Sequence, residues 1–284
     1  MLELTSIPEL RAWTRSQRAG GRRIGLVPTM GYLHEGHLAL VDEARRRADT
    51  VALSIFINPL QFGPAEDLAR YPRDLPRDRA LASARGVDMI FAPAREAMYP
   101  RGSEVRVTPG SVAERWEGAA RPGHFTGVLT VVAKLFHLVE PDVACFGQKD
   151  VQQLALVRLM VRDLNWPVEI ASVATVREPD GLALSSRNAY LAPDDRARAV
   201  ILSRSLRSAH DAWRSGVNRA SRLEALMRQE LASEPQVAVE YIAVVEPHAL
   251  MPVETADASS VIAIAARVGG TRLIDNIILG EGIR

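Results

Sequence analysis

Between residues 23 and 173 the hydrophobic pattern switches repeatedly between two periods. Residues 23–27, 51–57, 87–91, 142–146 and 168–173 are short apolar runs and read as strands. Residues 36–48, 75–85, 125–139 and 150–164 carry helical spacing. A strand that is apolar on both faces needs cover on both, and helical crossovers supply it only if the strands run mostly parallel. The pattern therefore predicts an α/β, Rossmann-like parallel sheet for residues 1–176, with residues 92–123 irregular and rich in Pro and Gly. Beyond that point the rhythm changes. Asp180-Gly181 signals a turn. One helix is expected from Pro193 to about Trp213 and another over 219–231. Strands are expected over 237–245, 260–268 and 273–279, the last two joined by Gly269-Gly270. Residues 177–284 thus read as a smaller α+β domain.

Composition narrows the function. With 35 Lys and Arg against 34 Asp and Glu, the net charge of +1 gives no field that would favour nucleic acid or an acidic membrane. The densest basic run, Arg45-Arg46-Arg47, falls where a helix ends and cations suit its dipole. No apolar run approaches the ~18 residues of a membrane helix, and residues 1–4 lack the charged and apolar regions of a secretory leader. The single cysteine, Cys145, lies in an expected strand, which suits an inert core thiol and a cytoplasmic location. Only two of the basic residues are lysines, Lys134 and Lys149. Where arginine is so favoured, a retained lysine suggests a place for a compact ammonium.

Three polar, glycine-bearing clusters follow expected strands: residues 30–37, 58–63 and 147–150. In an open parallel sheet the carboxyl ends of the strands are where ligands bind. In the first cluster, Gly31 and Gly36 let the backbone turn tightly, and His34 and His37 stand at a helix start suited to phosphate. Either protonation state of the two imidazoles is expected to donate to phosphate oxygens. A zinc reading competes, but the spacing is three where a helical pair needs four, and no third ligand motif accompanies it. Lys149 is expected to begin a helix and neutralise phosphate charge while Gly147 leaves room for the backbone to approach. Asp150 reads equally as a ligand contact or a first-turn acid; it is expected to share a helix face with Gln153. Gln61 and Gln153 can both donate and accept, as a substrate with hydroxyl and carboxylate groups requires. Ser185-Ser186-Arg187, on a loop between the two halves, reads either as a polyphosphate clamp or as a surface turn. His124 reads as a cap or as a pocket residue.

Taken together, PTMGYLHEGH, FINPLQFG, RPGHFTGV, CFGQKDVQQL and DGLALSSRN resemble the pantothenate synthetase (pantoate–β-alanine ligase) family, in order from about residue 24 to residue 191. His34-Glu35-Gly36-His37 is also similar to the HIGH element of class I aminoacyl-tRNA synthetases, and residues 185–188 stand where their KMSKS loop would, which implies the wider nucleotidyltransferase superfamily. The resemblance implies a two-step, ATP-dependent amide synthesis. Pantoate is first adenylated with release of pyrophosphate, and β-alanine then attacks the pantoyl adenylate with release of AMP, giving pantothenate. It implies an ATP site lined by Met30, Gly31, Tyr32, Leu33, His34, Glu35, Gly36 and His37, with His37 as proton donor. Gly147, Gln148, Lys149, Asp150, Val176, Leu184, Ser185, Ser186 and Arg187 would complete the ATP contacts. His34, Lys149 and Arg187 join His37 as the expected catalytic groups. Gln61 is expected to touch both pantoate and β-alanine, Gln153 to touch pantoate, and Asn58 and Tyr71 to line the same pocket.

Mg²⁺ is expected on the ATP phosphates rather than in a protein cage. The second domain is expected to close over the ATP site, and the molecule to be a homodimer. Two departures stand out: Leu184 where methionine is expected, and Gln148 where other members carry Glu. Two alternatives remain at this point. One is a related nucleotidyltransferase acting on another small acid or a phosphorylated acceptor. The other is a tRNA-binding module without adenylation, against which the balanced charge argues.

Overall fold

Six strands form an all-parallel sheet in the computed structural model, which describes residues 1–64 and 66–283. In chain order its elements are β1 (Leu2–Leu4), α1 (Ile7–Ala19), β2 (Ile24–Thr29), α2 (Glu35–Arg47), β3 (Thr50–Ile55), α3 (Leu75–Ala84) and β4 (Met89–Phe91). The short helices α4 (Arg95–Met98) and α5 (Trp116–Ala120) follow, then α6 (His124–Val139), β5 (Val143–Gly147), α7 (Val151–Asp163) and β6 (Glu169–Val173). The sheet order β1-β4-β3-β2-β5-β6 reverses direction between β2 and β5, which pair through Gly25↔Val143 and Leu26↔Ala144. In open parallel sheets that reversal is where a ligand crevice forms. Buried Val27, Val51, Leu53, Ile90, Val143 and Cys145 pack with Leu40, Val41 and Ala44 of α2 in one apolar cluster.

β1 and α1 are absent from the sequence reading above, although the start of α1 is well marked. Ser6 and Glu9 form a reciprocal capping box with Pro8 in the first turn. The segment read as irregular, 92–123, contains α4 and α5. The basic run of α2 is engaged within the protein. Arg46 and Arg47 pair with buried Glu43, and Arg45 donates to the carbonyl of Gly86.

After β6 come α8 (Pro193–Ala199), α9 (Ile201–Arg214), α10 (Ala220–Leu231) and the antiparallel strands β7 (Val237–Val245), β8 (Val261–Val268) and β9 (Thr271–Ile278), in the order β7-β8-β9. The single helix expected from Pro193 is two, divided at Val200. The hairpin read from Gly269-Gly270 joins Val268 to its partner Thr271. A second apolar cluster, including Leu202, Leu206, Leu223, Ile262 and Ile264, fills the space between these helices and strands. By internal contacts the chain divides into two compact units. One comprises residues 1–147 and 156–173, the other residues 148–155 and 174–284. Among the described residues, no helix is long and apolar enough to cross a membrane.

Candidate active site

The turn after β2 is built by its own side chains. His34 is the N-cap of α2, and its Nδ1 accepts the N–H of Gly36 at 3.2 Å. Nδ1 of His37 accepts the N–H of His34 at 3.3 Å. This is a capping box made from two imidazoles, and it explains the three-residue spacing, which runs from N-cap to N3. The ring centroids lie 4.1 Å apart. Because each Nδ1 accepts, the proton of each neutral ring sits on Nε2. While both caps are made, the N–H that each ring can offer a ligand is the one on Nε2. Gly36 lies within the first turn of α2 and gives its N–H to His34. The glycine that the turn requires is Gly31, with φ +83°, where a Cβ would lie 2.9 Å from Ile55 and 3.0 Å from Asp78.

Asp78 on α3 clamps this turn from behind. The residue is 1% exposed, and its carboxylate accepts the N–H groups of Tyr32 and Leu33, each at 2.7 Å. Burial raises its pKa above the ordinary value, more than those two bonds and Arg77 lower it. Arg77 donates to the carbonyl of Leu33 at 2.9 Å and lies 5.4 Å from the centre of the Tyr32 ring. Tyr32, at φ +53°, takes a left-handed conformation that side chains disfavour, and the clamp holds it there.

In the same unit the turn 59–61 carries Gln61. Asn58, 1% exposed, caps it through Leu60 N–H and donates to Gln61 Oε1 at 3.1 Å and to the carbonyl of Gly127 at 3.0 Å. Gln61 Nε2 lies 3.1 Å from the sulfur of Met30, which brings the first two expected clusters together. Tyr71 is buried and meets the edge of Phe62. His124 begins α6, as expected. Its Nδ1–H donates to the Gln61 carbonyl at 2.8 Å, while Arg121 donates to its Nε2 at 3.1 Å. Burial first, then the Arg121 charge, pushes its pKa down to about 4, so the ring is neutral. Arg121 in turn grips Glu66 with both arms, at 2.8 and 2.6 Å.

The other expected residues belong to the second unit, except Gly147, which ends β5. Lys149 and Asp150 lie in a 3₁₀ turn, Gln148–Asp150, and α7 starts only at Val151. Lys149 therefore precedes the helix it was expected to begin, and only Gln153 of the Asp150/Gln153 pair is on the helix. Lys149 is half-buried, and its ammonium has no partner among the described residues. Val176 and Leu184 meet across a short hairpin, Leu184 N–H to Val176 carbonyl at 2.9 Å, beside the bridge Arg177↔Ala183. The turn of that hairpin is braced by Arg196, paired with Glu178 at 2.7 Å and Asp180 at 2.8 Å. Ser185 caps the following 3₁₀ turn through Arg187 N–H, and Ser186 is buried. Among the described residues no group of three His, Cys, Asp or Glu could hold a metal.

The model of the pantoate-β-alanine ligase family matches residues 3–278. The chain belongs to the pantoate-β-alanine ligase family. It is 51% identical over 276 residues to a pantothenate synthetase of Heliobacterium modesticaldum, covering 97% of this chain and 98% of that one. It is 54% identical over 270 residues to one of Chloroflexus aurantiacus, covering 94% and 96%. The pantothenate synthetase of Thermus thermophilus superposes with a TM-score of 0.94 at 48% identity, covering 98% of this chain and 99% of that one. A pantoate-β-alanine ligase of Francisella tularensis, solved with β-γ ATP and β-alanine, superposes at 0.83 with 32% identity and full coverage of both chains.

The sequence reading did not find Asp78, Arg77 or Tyr99, whose hydroxyl donates to Asn58 Oδ1 at 3.0 Å. Their signal is tertiary. Asp78 lies more than forty residues from the turn it shapes, and nothing in its own segment marks it. His124 is bonded to the Gln61 carbonyl, and Lys134 donates to the Met98 carbonyl beside the Tyr99 ring. The thiol of Cys145 is pushed up to about 12 by burial and is inert.

Proposed function

We propose that this chain joins pantoate to β-alanine with cleavage of ATP, through a pantoyl adenylate. The observation that carries the reading is identity near one half over almost the whole of both chains with pantothenate synthetases. In the first step a pantoate carboxylate oxygen attacks the α-phosphorus, and the α–β P–O bond breaks to release pyrophosphate. In the second the β-alanine nitrogen attacks the acyl carbon. The acyl–oxygen bond breaks to release AMP, and the amine gives up a proton.

Both steps need positioned donors and cations rather than an enzyme nucleophile. The Nε2–H groups of His34 and His37 suit phosphate oxygens at the start of α2, with His37 donating toward the leaving pyrophosphate. Gly31 and Tyr32 to Gly36 cradle the nucleotide. Lys149 and Arg187 supply charge, with Ser185 and Ser186 as hydroxyl donors; Ser185 Oγ accepts Arg187 N–H and keeps its own proton to give. Gln61, Asn58, Tyr71 and Gln153 hold pantoate, and Gln61 also meets β-alanine. Mg²⁺ would arrive with the nucleotide and neutralise part of the phosphate charge. A cytoplasmic homodimer belongs to the same proposal, to be checked by sedimentation of the purified chain.

The deciding assay is ATP–pyrophosphate exchange. Exchange is expected only with pantoate present, and addition of β-alanine is expected to convert the adenylate to pantothenate. Exchange indifferent to pantoate would refute the proposal.

A further inference from the structure

Lys149 sits in the three-residue 3₁₀ turn between β5 and α7, and a further hold on that turn comes from β9. Asn276, 2% exposed, turns its amide toward that turn, and Nδ2 donates to the carbonyl of Gln148 at 3.0 Å and to that of Lys149 at 2.8 Å. These two carbonyls belong to the peptide groups on either side of the Lys149 α-carbon. Both hydrogens of one amide therefore hold both peptide planes that set the Lys149 backbone angles, and with them the direction of its Cα–Cβ bond. The reverse orientation of the amide would set its oxygen against two carbonyl oxygens, so the donors must face the turn. The cost is visible. Asn276 Oδ1 is buried with no hydrogen-bond partner among the described residues.

The preceding residue makes β9 a firm support. Asp275, 3% exposed, accepts both arms of Arg177 at 2.6 and 2.9 Å and also accepts the Asn276 N–H at 2.8 Å. Arg177 closes the arrangement by donating to the carbonyls of Gly181 and Asn276. A bidentate pair of this kind resists rotation as well as separation.

We propose that Asn276 is a positioning residue for adenylation, acting through Lys149. This rests on the reading of Lys149 as the cation that stabilises the triphosphate during pantoate activation. The test is a double-mutant cycle of Asn276→Ala and Lys149→Ala, read as single-turnover formation of pantoyl adenylate in the full-length chain. Asn276→Ala alone is expected to slow adenylation about 10- to 100-fold, mostly in kcat, because a small misplacement of a charge is enough for that loss. In the Lys149→Ala background the same change is expected to cost less than about twofold, since a residue that acts through another has nothing left to act on.

Equal losses in both backgrounds would overturn the proposal, as would an unimpaired Asn276→Ala beside a crippled Lys149→Ala. An unimpaired Lys149→Ala would instead remove the functional reading of Lys149 on which the proposal rests. If Asn276→Ala does not fold, Asn276→Ser, whose hydroxyl can serve only one of the two carbonyls, takes its place in the same cycle with the same criteria.

Discussion

Two cation- and donor-bearing turns of this ligase are held in opposite ways. The turn at residues 30–37 carries its own caps. Its caps are His34 and His37, and Asp78 locks the backbone behind them. The turn at residues 148–150 is held from far along the chain, by an amide on the last strand. In the first, donors and caps are the same side chains, so one substitution removes both. In the second they are separate residues, so the scaffold can be removed while the donor stays.

The sharpest way to break this comparison is to remove the donors. Lys149→Ala is expected to cost about 10²- to 10³-fold in adenylation, the usual loss for one transition-state donor, with the circular dichroism spectrum unchanged. A spectrum of an unfolded chain would show that the ammonium is also scaffold. His37→Ala should lose about 10²-fold in the first step and about 1 kcal/mol of stability, because the cap goes with it. Attack on preformed adenylate should suffer less, and equal damage to both steps in single-turnover assays would refute the assignment.

Asp78→Asn keeps the shape of the clamp but turns one acceptor into a donor facing an N–H. About 2 kcal/mol of stability and about tenfold in adenylation are expected to go, measured by denaturant titration and exchange rate. A variant as stable and active as the parent would mean that the turn holds itself without α3. The remaining effect falls on stability against pH and leaves the rate alone, and it lies at His124. Folded, this ring takes up a proton only near pH 4, against an ordinary value of 6.5. Between these values unfolding binds a proton, so stability present above pH 6.5 is lost as the pH falls toward 4, by up to about 3 kcal/mol. His124→Gln should flatten that stretch of the stability curve, and an unchanged slope would assign the proton elsewhere.

The same contrast explains what the sequence disclosed. The parallel sheet was legible because apolar runs such as residues 51–57 admit no other burial, and the hairpin of β8 and β9 because Gly269-Gly270 leaves few choices. The His34–His37 turn was legible because its caps are its own neighbours. Asp78 and Asn276 were not, since each acts on backbone far from itself and looks ordinary in its own segment. Helix ends suffered for the same reason. The break at Val200 and the 3₁₀ turn before α7 carry no mark in their own segments that the sequence reading could use.

The scarcity of lysine has a practical consequence. Apart from the α-amino group, an amine-directed acylating reagent meets only two targets, Lys134 and Lys149. Modification followed by peptide mass mapping would therefore read residue 149 with Lys134 as an internal reference. Protection by nucleotide then becomes a one-site footprint, readable without introducing a label or altering the chain.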